Sequence, residues 1–130
     1  MKPRAIAFAF VFAVAACGGN GNANDITCPT TGAPTYATFG QSFFSTYCTP
    51  CHSATSSNRN NAPDGLNFDT EAEIRENADD IDMMAGWGDD GPNTTMPYMP
   101  GPVTMEPTTD QRKTLAELLA CEEGSAGASN

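Results

Sequence analysis

Basic residues are scarce: six Lys and Arg stand against 16 Asp and Glu, a net charge of −10 over 130 residues. Nucleic-acid binding needs clustered Lys and Arg to neutralise phosphates, so this balance argues against it. There is one His and one Trp. With a single His and no Ser-His-Asp set, paired-carboxylate signature or phosphate loop, nothing supports an enzyme. No stretch alternates β-branched and polar residues over a useful length, which removes the sheet classes. The one long apolar run, Ala5 to Ala16, has 12 residues, too few to span a bilayer. There is no internal repeat. What is plentiful is Gly (12) and Pro (10), a loop-rich composition. A folded unit below ~100 residues buries only ~60–65% of the surface its unfolded chain exposes. Such a unit needs a staple, a metal or a cofactor.

The N-terminus reads as an address. Lys2 and Arg4 precede the apolar run, whose length is that of a signal-peptide core. It ends in Val14-Ala15-Ala16-Cys17, which resembles the lipobox of bacterial lipoproteins, with Cys17 lipidated and Gly18 to Asn22 a flexible tether. This reading assigns 1–16 to a signal peptide and 17–27 to the lipidated Cys and tether. Gly18 in place of Asp points to the outer membrane, facing the periplasm. Loss of Lys2 and Arg4 leaves four basic residues against 16 acids, a net charge of −12. The remaining thiols then face an oxidising compartment.

From Cys28 to Glu123 the chain reads as one domain, with 124–130 a flexible tail. Three helices are expected. The first spans about Tyr36 to Cys51, with Phe39, Phe43 and Tyr47 at i, i+4, i+8. The second spans about Thr70 to Ala85, with Ile74, Ala78, Ile81 and Ala85 on one face. The third follows Pro107, where Thr108 to Gln111 offers a capping box. It runs through Leu115, Leu118 and Leu119 to a stop at Gly124. Between the last two, Gly86 to Pro107 holds five Pro, four Gly and three Met. The expected class is all-α with long Pro/Gly-rich loops.

Cys48-Thr49-Pro50-Cys51-His52 carries the chemistry. Two Cys at i and i+3 on one turn can bond two neighbouring vinyl groups of a haem, and the following His can coordinate the iron; C-x-x-C-H reads as a c-type attachment site. A zinc site would need four ligands, and only Cys28 and Cys121 remain. A thioredoxin-like motif expects a βαβ context, which is absent. For the sixth ligand Met is the natural choice once the lone His is committed. Met83 and Met84, near the end of an acidic helix, suit a core role. Met96, Met99 and Met105 lie in the Pro/Gly loop.

Together these features resemble the class I mono-haem cytochromes c, most closely the small lipoprotein type of Gram-negative bacteria, over residues 36–123. The resemblance implies a cytochrome c-like fold of about three main helices around one covalent haem c. It favours Met96-Pro97 as the axial Met, with Met99-Pro100 the alternative. It also implies that the Pro63 carbonyl accepts the His52 Nδ1–H, and that Leu66, one position late, packs on the haem. Trp87 either hydrogen-bonds a propionate or is plain core, and Arg59 is a candidate counter-charge for a propionate. Two features depart from the family: the last helix lacks an aromatic residue at Leu115 to Leu119, and Gly86 to Met105 is unusually rich in Gly and Pro.

With Cys17 on lipid and Cys48 and Cys51 on haem, Cys28 and Cys121 are left as a disulfide pair. His/Met ligation leaves no open site, so the expected function is electron transfer. The alternatives are a haem sensor or accessory subunit of a redox enzyme with a labile sixth ligand, and a lipoprotein without haem. Nine acids fall between Asp69 and Asp90 against Arg75 alone. They make either a solvated face or a docking surface for a basic redox partner.

Overall fold

Thr35 starts the first helix: its hydroxyl accepts from the Thr38 N–H, and the Thr38 hydroxyl accepts from the Thr35 N–H. In the computed structural model, which describes residues 26–126, a π-helical turn at Tyr36–Gly40 leads into α1, Gln41–Tyr47. The expected signal peptide, Cys17, most of the tether and the last four residues lie outside the described residues. Phe43 and Phe44 are the buried face of α1. The helix ends at Tyr47 and not at Cys51. The Cys51 and His52 N–H groups both donate to the Cys48 carbonyl, so the C-x-x-C-H segment is a tight turn appended to α1.

The second expected helix is two. Helix α2 spans Glu71–Glu76 and α3 spans Ala78–Ala85. The break falls at Asn77, whose φ is −113° and ψ 21°. Its side-chain amide donates to the Glu73 carbonyl at 2.7 Å, the competition that disfavours Asn inside helices. The apolar face survives the break, for Ile74, Ala78, Ile81 and Ala85 are all buried. A two-residue antiparallel hairpin follows, β1 at Trp87–Gly88 and β2 at Gly91–Pro92. It is too short to leave an alternating pattern in the sequence. Helix α4, Thr109–Ala126, begins at the expected capping box: the Gln111 N–H donates to the Thr108 hydroxyl, and the Thr108 N–H to the Gln111 side chain. It continues two residues past Gly124.

The core joins Phe43, Phe44 and Phe68 to Ile74, Ile81, Leu115, Leu118 and Leu119. Gly40 lets α4 come close to the N-terminal helix: a Cβ there would lie 3.0 Å from Leu118 Cδ2 and 2.9 Å from the Tyr36 ring. At the far end of α4, Cys121 is bonded to Cys28. Beside this bond Glu122 accepts from Arg75, which also bonds Glu71. Closing a loop of this size stabilises by roughly 4–5 kcal/mol in the chain-entropy account.

Candidate functional site

A cavity of about 570 Å³ opens beside the C-x-x-C-H turn, within the ~300–1,000 Å³ of cofactor and ligand sites. Cys48, Cys51, His52, Leu66 and Met96 all line it, so the folded chain brings these sequence candidates to one place. Met99 and Trp87 are not among the lining residues. Trp87 is half-buried on β1, its backbone N–H donating to the Asp82 carboxylate. Neither Met83 nor Met84 is core: they are 57% and 39% exposed, and Met84 lines the cavity.

His52 is held from three directions. Its Nδ1 lies 3.1 Å from the Leu66 carbonyl, its ring stacks on Phe68 with centroids 4.7 Å apart, and its carbonyl accepts from the Phe68 N–H. Burial lowers the imidazole pKa, and the nearby Arg59 charge adds to this against the Leu66 bond. A neutral ring donating Nδ1–H to a carbonyl leaves the Nε2 lone pair for a metal, the arrangement in which a second partner fixes the tautomer of a metal-ligating His.

The acceptor corrects the expectation. Pro63 lines the cavity, but its carbonyl accepts from Arg59 Nη2 at 2.6 Å and from the Leu66 N–H at 3.2 Å. Leu66 provides the carbonyl for His52, while the Pro63 carbonyl closes the turn at 63–66. Arg59 also lines the cavity. Its guanidinium donates to the carbonyls of Ser53, Ala62, Pro63 and Leu66 and to the Asn67 side chain. All three of its nitrogens are engaged by the loop itself, so Arg59 clamps the segment from Ser53 to Asn67.

The same loop carries Asn60 and Asn61 at φ 48° and 66°, left-handed backbone that Asn tolerates better than most residues. Both line the cavity. At the loop's end Asp69 accepts from the Ala54 N–H at 2.8 Å. Hydrogen bonds from Ser53 and that N–H hold its carboxyl below the usual range.

Burial pushes the Cys48 thiol up to about 12, with Cys51 adding and Arg112 opposing. Cys51 is also raised, by burial against the pull of Arg59. Such sulfurs favour a neutral form over a thiolate. Among the described residues no group of three or more His, Cys, Asp or Glu is gathered to hold an ion, and Cys28 and Cys121 are bonded to each other.

Phe68, Asn60 and Asn61 line the cavity and Arg112 lies behind it, and sequence reasoning singled out none of them. Phe68 left one weak signal, an isolated aromatic between polar residues. Arg112 is 2% exposed on α4, and its sequence neighbours Gln111 and Lys113 gave no hint of burial. No family model, no curated protein and no solved structure matches the chain.

Proposed function

We propose that the chain is an electron-transfer protein carrying one c-type haem, joined through thioethers at Cys48 and Cys51, with His52 and Met96 as axial ligands. The observation that carries this reading is the convergence of these four side chains on one largely apolar cavity, with the His52 Nδ1 already on a backbone carbonyl. The residues present fit the group: two neutral sulfurs on one turn, an imidazole with its outer nitrogen engaged, and a thioether. When bound, the haem supplies a one-electron ferric/ferrous couple.

The protein's part is to hold and shield it. Cys48 and Cys51 would hold the group covalently, each thiol contributing its sulfur and hydrogen across a vinyl double bond with no oxidant needed. His52 keeps one tautomer through Leu66. Phe43, Phe68, Ile81 and Leu66 contribute apolar walls that lower the local dielectric, and with Met ligation this raises the potential. On this reading α1, α3 and α4 are the three main helices of a cytochrome c-like fold. Export and a lipid anchor at Cys17 belong to the same proposal and are consistent with a covalent cofactor.

Six acids, Asp69, Glu76, Asp79, Asp80, Asp89 and Asp90, are exposed, and Asp80 lines the cavity. They suit docking of a basic redox partner.

The test is an optical spectrum and intact mass of the protein made in a host competent for covalent haem attachment. One haem retained under denaturation, redox-responsive bands and no ready binding of carbon monoxide are expected. Met96→Ala should open the iron to carbon monoxide while Met99→Ala leaves it closed. A colourless protein would overturn the proposal, and ready carbon monoxide binding by the unaltered protein would favour the sensor reading. In stopped-flow, transfer to a basic redox protein should slow as salt rises, and salt-independent rates would remove the steering role.

A further inference from the structure

We propose that Arg112 is the positioning residue for Met96, gathering the Met-bearing loop onto α4 from inside the protein; this rests on the function proposed above. Arg112 is one of the largest fully buried side chains. Its Nη1 donates to three carbonyls from separate parts of the chain: Ala85 at the end of α3 (2.9 Å), Asn93 just after β2 (2.6 Å) and Met96 itself (2.8 Å). The Met96 N–H meanwhile donates to the Met84 carbonyl at 2.9 Å. Both backbone polar groups of Met96 are thus pinned, one to α3 and one to α4.

A guanidinium taken out of water is expensive unless it is paired or fully hydrogen-bonded. Here it is neither fully satisfied nor needed to fill space: Nη2 is buried without a hydrogen-bond partner, and a Met or Leu would occupy the same volume more cheaply. What no apolar residue could supply is one cation on which three carbonyl dipoles converge. Arg112 touches neither iron nor thioether and acts through the Met96 backbone.

Arg112→Gln and Arg112→Lys, compared with the unaltered haem-loaded protein, test this. The readouts are the far-red charge-transfer band of ferric iron bound to a thioether and the affinity for added imidazole, with far-ultraviolet circular dichroism as the check of folding. Loss of a charge-assisted bond to Met96 should raise imidazole affinity about tenfold or more in Arg112→Gln and weaken the band. Lys keeps the charge but not the fork, and should give an intermediate rise of a few-fold. Variants that melt earlier yet keep the band and the imidazole affinity of the unaltered protein would overturn the proposal, leaving Arg112 a structural residue. Should Arg112→Gln not accumulate, an unchanged imidazole affinity in Arg112→Lys overturns it alone. If the unaltered protein lacks the band, the function proposal falls and this one with it; a band present but unmoved in the variants defeats this inference only.

Discussion

The segment from Cys48 to Asp69 and the segment from Gly86 to Pro107 both contribute to the same cavity, yet they are held in opposite ways. The first is organised from within. Arg59 bonds five acceptors, all between Ser53 and Asn67, and His52 finds its carbonyl 14 residues away. The second is organised from outside: Met96 is fixed by Met84 on α3 and by Arg112 on α4. A locally wired loop keeps its shape whenever its own residues are in place. A loop wired to a distant helix is only as well placed as the packing of that helix. The His side therefore suits a permanent ligand, and the Met side suits a ligand whose hold is tunable.

Predictions that break this contrast differ in size. The largest effect on the His side is expected from Phe68→Ala, which removes the ring stacked on His52 and packed edge-on to Phe44. A loss of about 3–5 kcal/mol is typical for a buried Phe, to be read by chemical denaturation. A loss below ~1 kcal/mol would show that Phe68 is not a joint between core and site. Next is Arg59→Gln, which strips the clamp from a loop that water can partly reach. About 1–3 kcal/mol is expected. Hydrogen exchange should rise from Ser53 to Asn67 and stay unchanged around Met96; faster exchange at both loops would erase the distinction drawn above.

The smallest effect is electrostatic. Because the Asp69 pKa is depressed on folding, its contribution is present above the ordinary carboxyl value of 3.8 and is lost as pH falls through the lower folded value. Asp69→Asn should leave a shallower loss of stability on the acid side, measured as melting temperature against pH. Parallel curves for the two proteins would show that the Ala54 and Ser53 bonds carry no such contribution.

Much of the scaffold was legible before any coordinates, because it rests on short-range rules. Periodicity put Phe43, Ile74, Ile81, Leu115 and Leu118 inside, and all are buried. The Thr108–Gln111 box marked the start of α4. The misreadings share one cause, that a backbone carbonyl has no sequence signature. Pro63 and Leu66 are three residues apart on one turn; both carbonyls accept from Arg59, and only the folded loop decides which of them also meets His52. Asn77 broke a helix whose apolar spacing ran on unbroken, because the side-chain bond that interrupts it leaves the hydrophobic face intact.

By itself the sequence determined the chemistry on offer: two sulfurs and an imidazole within five residues, candidate thioethers in a Pro-rich loop, a strong acidic excess, and apolar faces at helical spacing. These follow from covalent order and local geometry. Tertiary structure alone decided that Met84 lines the cavity beside Met96, which carbonyl orients His52, and that a buried Arg112 bonds the Met96 carbonyl. The His52 bond depends on how the 52–66 loop closes on itself, and the Met96 and Arg112 bonds on how α3 and α4 pack, and neither is written in residue order alone.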